Sequence, residues 1–211
     1  MKLLFLTSII FAFFSQITNA QNTYPLPKGY TQHKDMDNNL SRLEGDFDGD
    51  NKKDLMVVAT KKGADEHSVF VYLSSSYNKK TPPQSFLIGS ALGYSIEMKK
   101  NVVSIGACFG NGRFCKTFKF RYNKNIKDLQ LIGYDEQNFG NAMHEGSYKK
   151  SVNLSTKQFE VTRYEWDDKI KKDRIILNEL KKFTINNILF KDLTPQKIEE
   201  LEKIGAKYLE R

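Results

Sequence analysis

The feature that most constrains this chain is its punctuation. Apolar segments of strand length recur along most of the sequence, and turn-forming clusters cut nearly all of them off before they are long enough for a helix. The segments are 54–60, 68–74, 85–89, 94–99, 102–108, 115–122, 129–134, 151–154, 159–166, 174–180 and 183–190. They are rich in Val, Ile, Phe and Tyr, which pack well on a pleated surface and lose rotamer freedom in a helix. Most of the intervening stretches, such as KKGADE, YNKKTPP, FGNGRF and NKNIKD, supply Gly, Asn, Asp and Pro, the residues that accept tight-turn geometry. In CKTFKFRY the apolar Phe118, Phe120 and Tyr122 alternate with Thr117, Lys119 and Arg121, the signature of a half-buried antiparallel strand. The expected fold is mostly β: an antiparallel meander, arranged as a sandwich or as open propeller-like sheets.

The two ends read differently. Residues 21–42 form an N-terminal lead-in, with one or two helical turns expected within Asp35 to Leu43. Residues 43–211 form a single β-rich domain that ends in an amphipathic helix over 195–210. Thr194 supplies an N-cap and Pro195 the first helical position. Ile198, Leu201, Ile204, Tyr208 and Leu209 then recur at helical spacing, a stripe suited to covering a sheet edge or face.

Residues 1–20 form a third kind of segment. Lys2 is followed by an almost wholly apolar stretch from Leu3 to Phe14, and Thr18 and Ala20 stand where a signal peptidase requires small residues. The apolar stretch is shorter than the roughly 20 residues a bilayer span needs. A cleaved signal peptide is expected, leaving 211 − 20 = 191 residues from Gln21, and no lipid-anchor cysteine follows. The expected destination is the periplasm or the exterior, with no membrane span.

Hydrophobic residues make up 39% of the chain and charged residues 27%, which excludes a disordered tail, a collagen or a polytopic membrane protein. The net charge of +8 invites a polyanionic partner. The lysines, however, are scattered in pairs such as Lys52-Lys53, Lys99-Lys100 and Lys171-Lys172, mostly beside turns. Nucleic-acid binders usually concentrate basic residues on one element, so no nucleic acid is expected.

The most specific motif is GDFDGDNKKDLMVV, residues 45–58. Asp46, Asp48, Asp50 and Asp54 stand at relative positions 1, 3, 5 and 9, with Gly49 at position 4. Alternate residues of a tight loop can aim successive carboxylates at one centre, and the backbone carbonyl of Lys52 adds an oxygen. An all-oxygen set suits a hard cation taking six to eight ligands, calcium before magnesium, and disfavours zinc and copper. Without a cation the carboxylates repel one another, and a divalent ion reverses that sign. Gly49 and Asn51 tolerate the unusual backbone angles such a loop demands.

The segment is not an EF-hand, because Val57 stands where that loop places glutamate and a strand follows at once. It resembles the calcium loop of FG-GAP repeats, the D-x-D-G-D-x-x-x-D-L segment of integrin-type β-propellers, including the apolar strand Leu55 to Val58 that follows. Asn51 departs from the family, which usually has glycine there. The resemblance implies calcium held by Asp46, Asp48, Asp50, Asp54 and the Lys52 carbonyl. A closed propeller does not follow, since one such loop and about eleven strands would build fewer than three four-stranded blades. The whole chain is similar to small exported bacterial proteins that carry a single segment of this kind.

Cys108 and Cys115 flank FGNGRF between two expected strands, and an exported protein meets an oxidising compartment, so a cross-strand disulfide is expected. His33, His67 and His144 are scattered and form no ligand or triad motif. Glu165, Asp167 and Asp168 beside Trp166 suggest a carboxylate pair, but EWDDK reads better as a strand end and turn. Nucleophile-elbow, phosphate-loop and dinucleotide signatures are absent from the sequence, and no enzyme is expected. The leading reading is an exported calcium-binding β domain, a binding or structural module of the cell envelope with an envelope or extracellular protein as partner. Two other readings stand beside it. One is an inhibitor or immunity-type protein presenting Phe109, Arg113 and Phe114; the other is a hydrolase whose site is assembled from distant residues.

Overall fold

A computed structural model describes residues 24–35, 37–78, 80–141 and 145–209. The expected signal peptide and His144 lie outside the described residues. The chain builds two antiparallel sheets and one short C-terminal helix. The first sheet contains β1 (Tyr30–Gln32), β2 (Arg42–Gly45), β3 (Asp54–Lys61), β4 (His67–Tyr72) and β5 (Gln84–Leu87). Its main order is β1-β3-β4-β5, and β2 pairs with β3 through Arg42↔Val57 to Gly45↔Asp54. The second is a seven-stranded meander of β6 (Gly93–Lys99), β7 (Val102–Phe109), β8 (Phe114–Asn123), β9 (Asp128–Asn138), β10 (Tyr148–Asn153), β11 (Gln158–Asp167) and β12 (Lys172–Lys182).

The inner faces of the two sheets share one core. Met56, Val58, Val69 and Val71 from the first sheet pack with Val103, Ile105, Phe118, Phe120 and Leu131 from the second. Phe86 on β5 bridges them, its ring centroid 5.5 Å from that of Phe118 and 5.1 Å from that of Phe190. Strand β3 is buried along most of its length because its other face is covered too. Leu55, Val57 and Ala59 meet Phe70 and Tyr72 under Tyr24, Leu26 and Tyr30 of the lead-in. Burial on both faces accounts for a continuous apolar run in place of an alternating one.

Three expectations change. Among the described residues of 35–43 there is no helical turn: an Asp35 carboxylate oxygen accepts the backbone N–H groups of Asp37 (2.9 Å) and Asn39 (2.8 Å), a local turn that competes with helix. Segment 183–190 is not a ladder strand. It meets the sheet through a Leu189–Gln130 bridge and a Leu131 N–H bond to the Ile188 carbonyl (2.9 Å), then enters a 3-10 turn at Phe190–Asp192. The expected helix over 195–210 is shorter: α1 spans Pro195–Lys203, Gly205 takes a left-handed φ of 74°, and a second 3-10 turn covers Ala206–Tyr208. The Thr194 side chain caps α1 by accepting the Lys197 N–H, as the sequence implies.

The meander turns also account for several of the scattered lysines. Lys100, Lys127, Lys157 and Lys171 have positive φ at turns between consecutive strands, and Lys100, Lys127 and Lys171 are exposed.

Candidate metal centre

The loop between β2 and β3 is held by its own aspartates. Asp46 accepts the N–H groups of Gly49 (2.7 Å), Asp50 (3.1 Å) and Asn51 (2.9 Å). Asp48 accepts the Asp50 N–H at 3.1 Å, and Asp50 accepts the Lys52 N–H at 2.8 Å. Such a tight wrap needs left-handed backbone, which Gly49 (φ 82°) and Asn51 (φ 63°) supply. Side-chain oxygens of Asp46, Asp48 and Asp50 consequently lie within 4.8 Å of one another, a group that could hold a metal ion.

A second turn closes on this group. Ser75 Oγ donates to Asp48 Oδ2 at 2.5 Å, and Ser74 Oγ donates to Asp50 Oδ2 at 2.8 Å. The Ser74 hydroxyl holds the Asp50 carboxyl below its ordinary pKa. The exposed Lys52 places its Nζ 4.0 Å from Asp50.

Asp54 lies outside the group of three. It is buried, and its two oxygens accept the Phe47 N–H (2.6 Å) and the Ser74 N–H (2.7 Å). Burial raises its pKa, while those amide bonds work the other way. Asp54 therefore staples the end of β3 to both turns. Tyr24 reaches the same region, its hydroxyl donating to the Lys53 carbonyl at 2.6 Å. Its pKa is raised by burial and then by the charges of Asp54, Asp50 and Asp48. The donor set is entirely carboxylate and hydroxyl oxygen, which fits a hard cation.

Cys108 and Cys115 form the expected disulfide across β7 and β8, a bond that belongs to oxidising compartments. In the loop it closes, Phe109 and Phe114 are half-buried with Lys116 over both rings, and Arg113 donates to the Gly140 carbonyl at 3.1 Å. Glu165 pairs with Arg174, Asp168 accepts from the Trp166 indole at 3.1 Å, and Asp167 caps the following turn. Those acidic groups thus serve the β11–β12 hairpin.

Two sites escaped the sequence. His33 and His67 meet at Tyr94, and Lys150 is buried against Glu136. Both groupings depend on sheet register, which local spacing does not encode. The outer face of the meander also carries two adjoining clefts of about 390 and 480 Å³, both lined by Gln137, Lys149 and Tyr164. No helix among the described residues is long and apolar enough to cross a membrane. Comparisons with protein-family models, with curated proteins and with solved structures find no match.

Proposed function

We propose that this chain is an exported calcium-binding β domain that serves as a binding or structural module of the cell envelope, with its ion at Asp46, Asp48 and Asp50. The observation that carries the reading is the convergence of these three carboxylates on a loop bonded to a second turn through Ser74 and Ser75. Three like charges so close are costly in water-poor surroundings and become an asset once a divalent ion is bound. The D-x-D-G-D-x-x-x-D-L spacing, which the FG-GAP loop shares, supports calcium. In this proposal Asp54 acts as the staple that sets the loop's exit, and the Lys52 carbonyl remains a candidate fourth ligand. The disulfide and the signal-peptide-like residues 1–20 support export.

The ion would bind the native loop and not the unfolded chain, so it would add stability in proportion to its occupancy. At a concentration 100 times its Kd the gain is about 2.7 kcal/mol. The test is calorimetric titration of the protein from Gln21 with calcium, beside Asp48→Ala and Asp46→Ala, with thermal melts in calcium and in chelator. One saturable site that disappears in both variants, together with a raised melting temperature, is expected. Absence of binding up to about millimolar calcium, the weak end of natural sites, would sink the reading.

A further inference from the structure

The histidine pair lies at the far end of β3 and β4 from the aspartate loop, where the chain crosses from one sheet to the other. His33 follows β1, and its N–H donates to the Val58 carbonyl of β3 at 2.9 Å. His67 opens β4 opposite Thr60, and Tyr94 belongs to β6 of the second sheet. The three rings form a triangle, with centroids 4.8 Å apart for His33–His67, 4.9 Å for His33–Tyr94 and 5.4 Å for His67–Tyr94.

The Tyr94 hydroxyl organises the crossover. It donates to the Gly89 carbonyl at 2.5 Å and accepts the Ala91 N–H at 2.9 Å. The His67 Nδ1 lies 2.6 Å from the same oxygen. A phenol has one hydrogen, and with Gly89 taking it this contact is satisfied when His67 Nδ1 carries a proton and donates. In its neutral form His67 then keeps its lone pair on Nε2, the position that takes up a proton in acid. His33 Nδ1 is held 2.9 Å from Ser41 Oγ. The crossover itself is pinned at both ends, Ile88 N–H to the His67 carbonyl (2.9 Å) and Leu92 N–H to the Cys108 carbonyl (2.8 Å).

We propose that His33, His67 and Tyr94 form an acid-sensitive latch on the crossover between the two sheets, closed while both imidazoles are neutral and released when both are protonated. Two imidazolium ions in this triangle repel at short range in half-buried surroundings, where water screens them weakly. The charged groups near the pair are few. Asp35 favours a charged His33, while the exposed Lys34 adjoins His33 and the exposed Asp65 and Glu66 lead into His67. The β6 side supplies the Tyr94 phenol, pushed up to about 12 by burial and so neutral throughout the acid range.

Burial lowers the pKa of both histidines, and the charge of His33 lowers that of His67 further. As pH falls below the ordinary histidine value of 6.5, the unfolded or opened chain therefore takes up protons before the latched one does. The latch is at full strength above that value and weakens below it.

The test is amide hydrogen exchange, corrected for intrinsic rate, at about pH 7.5 and about pH 5, on either side of the ordinary histidine value. Its reporter is Ala91, whose N–H is bonded to the Tyr94 hydroxyl; Phe118 in the core of β8 is the reference. Ala91 should lose roughly tenfold or more of its protection in acid while Phe118 holds. In His33→Gln/His67→Gln the acid loss should vanish. In Tyr94→Phe the Ala91 protection should be low at both pH values with Phe118 unchanged. Proton NMR titration of the two imidazoles in the unaltered protein needs no variant to fold, and both should titrate below 6.5. Unchanged Ala91 protection across this range, or two histidines titrating independently at the ordinary value, would overturn the proposal.

Discussion

Replacing Lys150 with methionine tests what fastens the C-terminal segment to the meander. The Lys150 side chain is 0% exposed and its Nζ lies 2.9 Å from Oε2 of Glu136, itself 4% exposed. The same Nζ donates to the Glu202 carbonyl at 2.7 Å and approaches the Leu201 carbonyl at 3.5 Å, at the end of α1. Glu136 also accepts the Tyr134 hydroxyl at 2.6 Å, and Lys116 pairs with Glu202. Burial lowers the Lys150 pKa, and the Glu136 charge opposes that shift. Methionine keeps the apolar stem but leaves Glu136 buried with its countercharge gone and the α1 carbonyls without their cation. Breaking a buried pair from one side costs about 3–5 kcal/mol. Up to about 2 kcal/mol of that belongs to the lost cation at a helix C-terminus. For a chain of this size each kcal/mol moves the melting temperature by about 2–4 °C, so a fall of about 6–20 °C follows. Urea unfolding gives the free energy, and exchange at the Ile204 and Tyr208 amides reports on the segment itself. Adding Glu136→Gln should recover part of the loss, because it neutralises the stranded charge. A Lys150→Met protein within about 1 kcal/mol of the original, with those amides equally protected, would refute the reasoning.

Two further substitutions follow from the same architecture. Gly205→Ala places a Cβ 2.7 Å from the Phe159 ring on left-handed backbone, while Gly112→Ala meets the same φ penalty (78°) with nothing within 4 Å. The first should cost roughly 2–4 kcal/mol and the second about 1–2 kcal/mol in urea titrations, and equal costs would remove the steric part of the argument. Cys115→Ser opens the loop closed by the Cys108 bond and should cost about 2–3 kcal/mol, with reduction of the native protein giving the same loss. A melting curve indifferent to reductant would contradict it.

The sheets were legible because turn chemistry and apolar runs are local. The segments from 54–60 to 174–180 all became strands, since each carried its own start and stop. The segment 183–190 misled because strand length with β-branched and aromatic content records only that a chain can lie across an apolar surface. Ile188 and Phe190 are buried in the shared core, and the segment touches β9 through the Leu189–Gln130 bridge and the Leu131–Ile188 bond instead of a continuous ladder. Strands β1 and β2 were missed for the converse reason: at three and four residues they owe their conformation to the free edge of β3. The end of α1 had a readable signal in Gly205, a residue that commonly takes the left-handed position after a helix. The apolar spacing of Tyr208 and Leu209 masked it, because a 3-10 turn can bury the same side chains on the same surface.

The aspartate loop divides along the same line. The positions of Asp46, Asp48 and Asp50 were readable because consecutive loop residues share one short backbone, and their carboxylates do converge. The ninth position was read as a further ligand, but Asp54 already belongs to β3, where pairing with Gly45 and the sheet's pleat set its direction. A carboxylate so placed gives one oxygen to the Phe47 amide and the other to the Ser74 amide. Ser74 and Ser75 could not be read at all, since only the β3–β4 register brings the end of β4 back to the loop. They make the second turn part of the site. A cation drawing Asp48 and Asp50 together would act on two hydroxyl bonds as well as on the loop, so its stabilising effect would reach the β4–β5 connection along with β2 and β3.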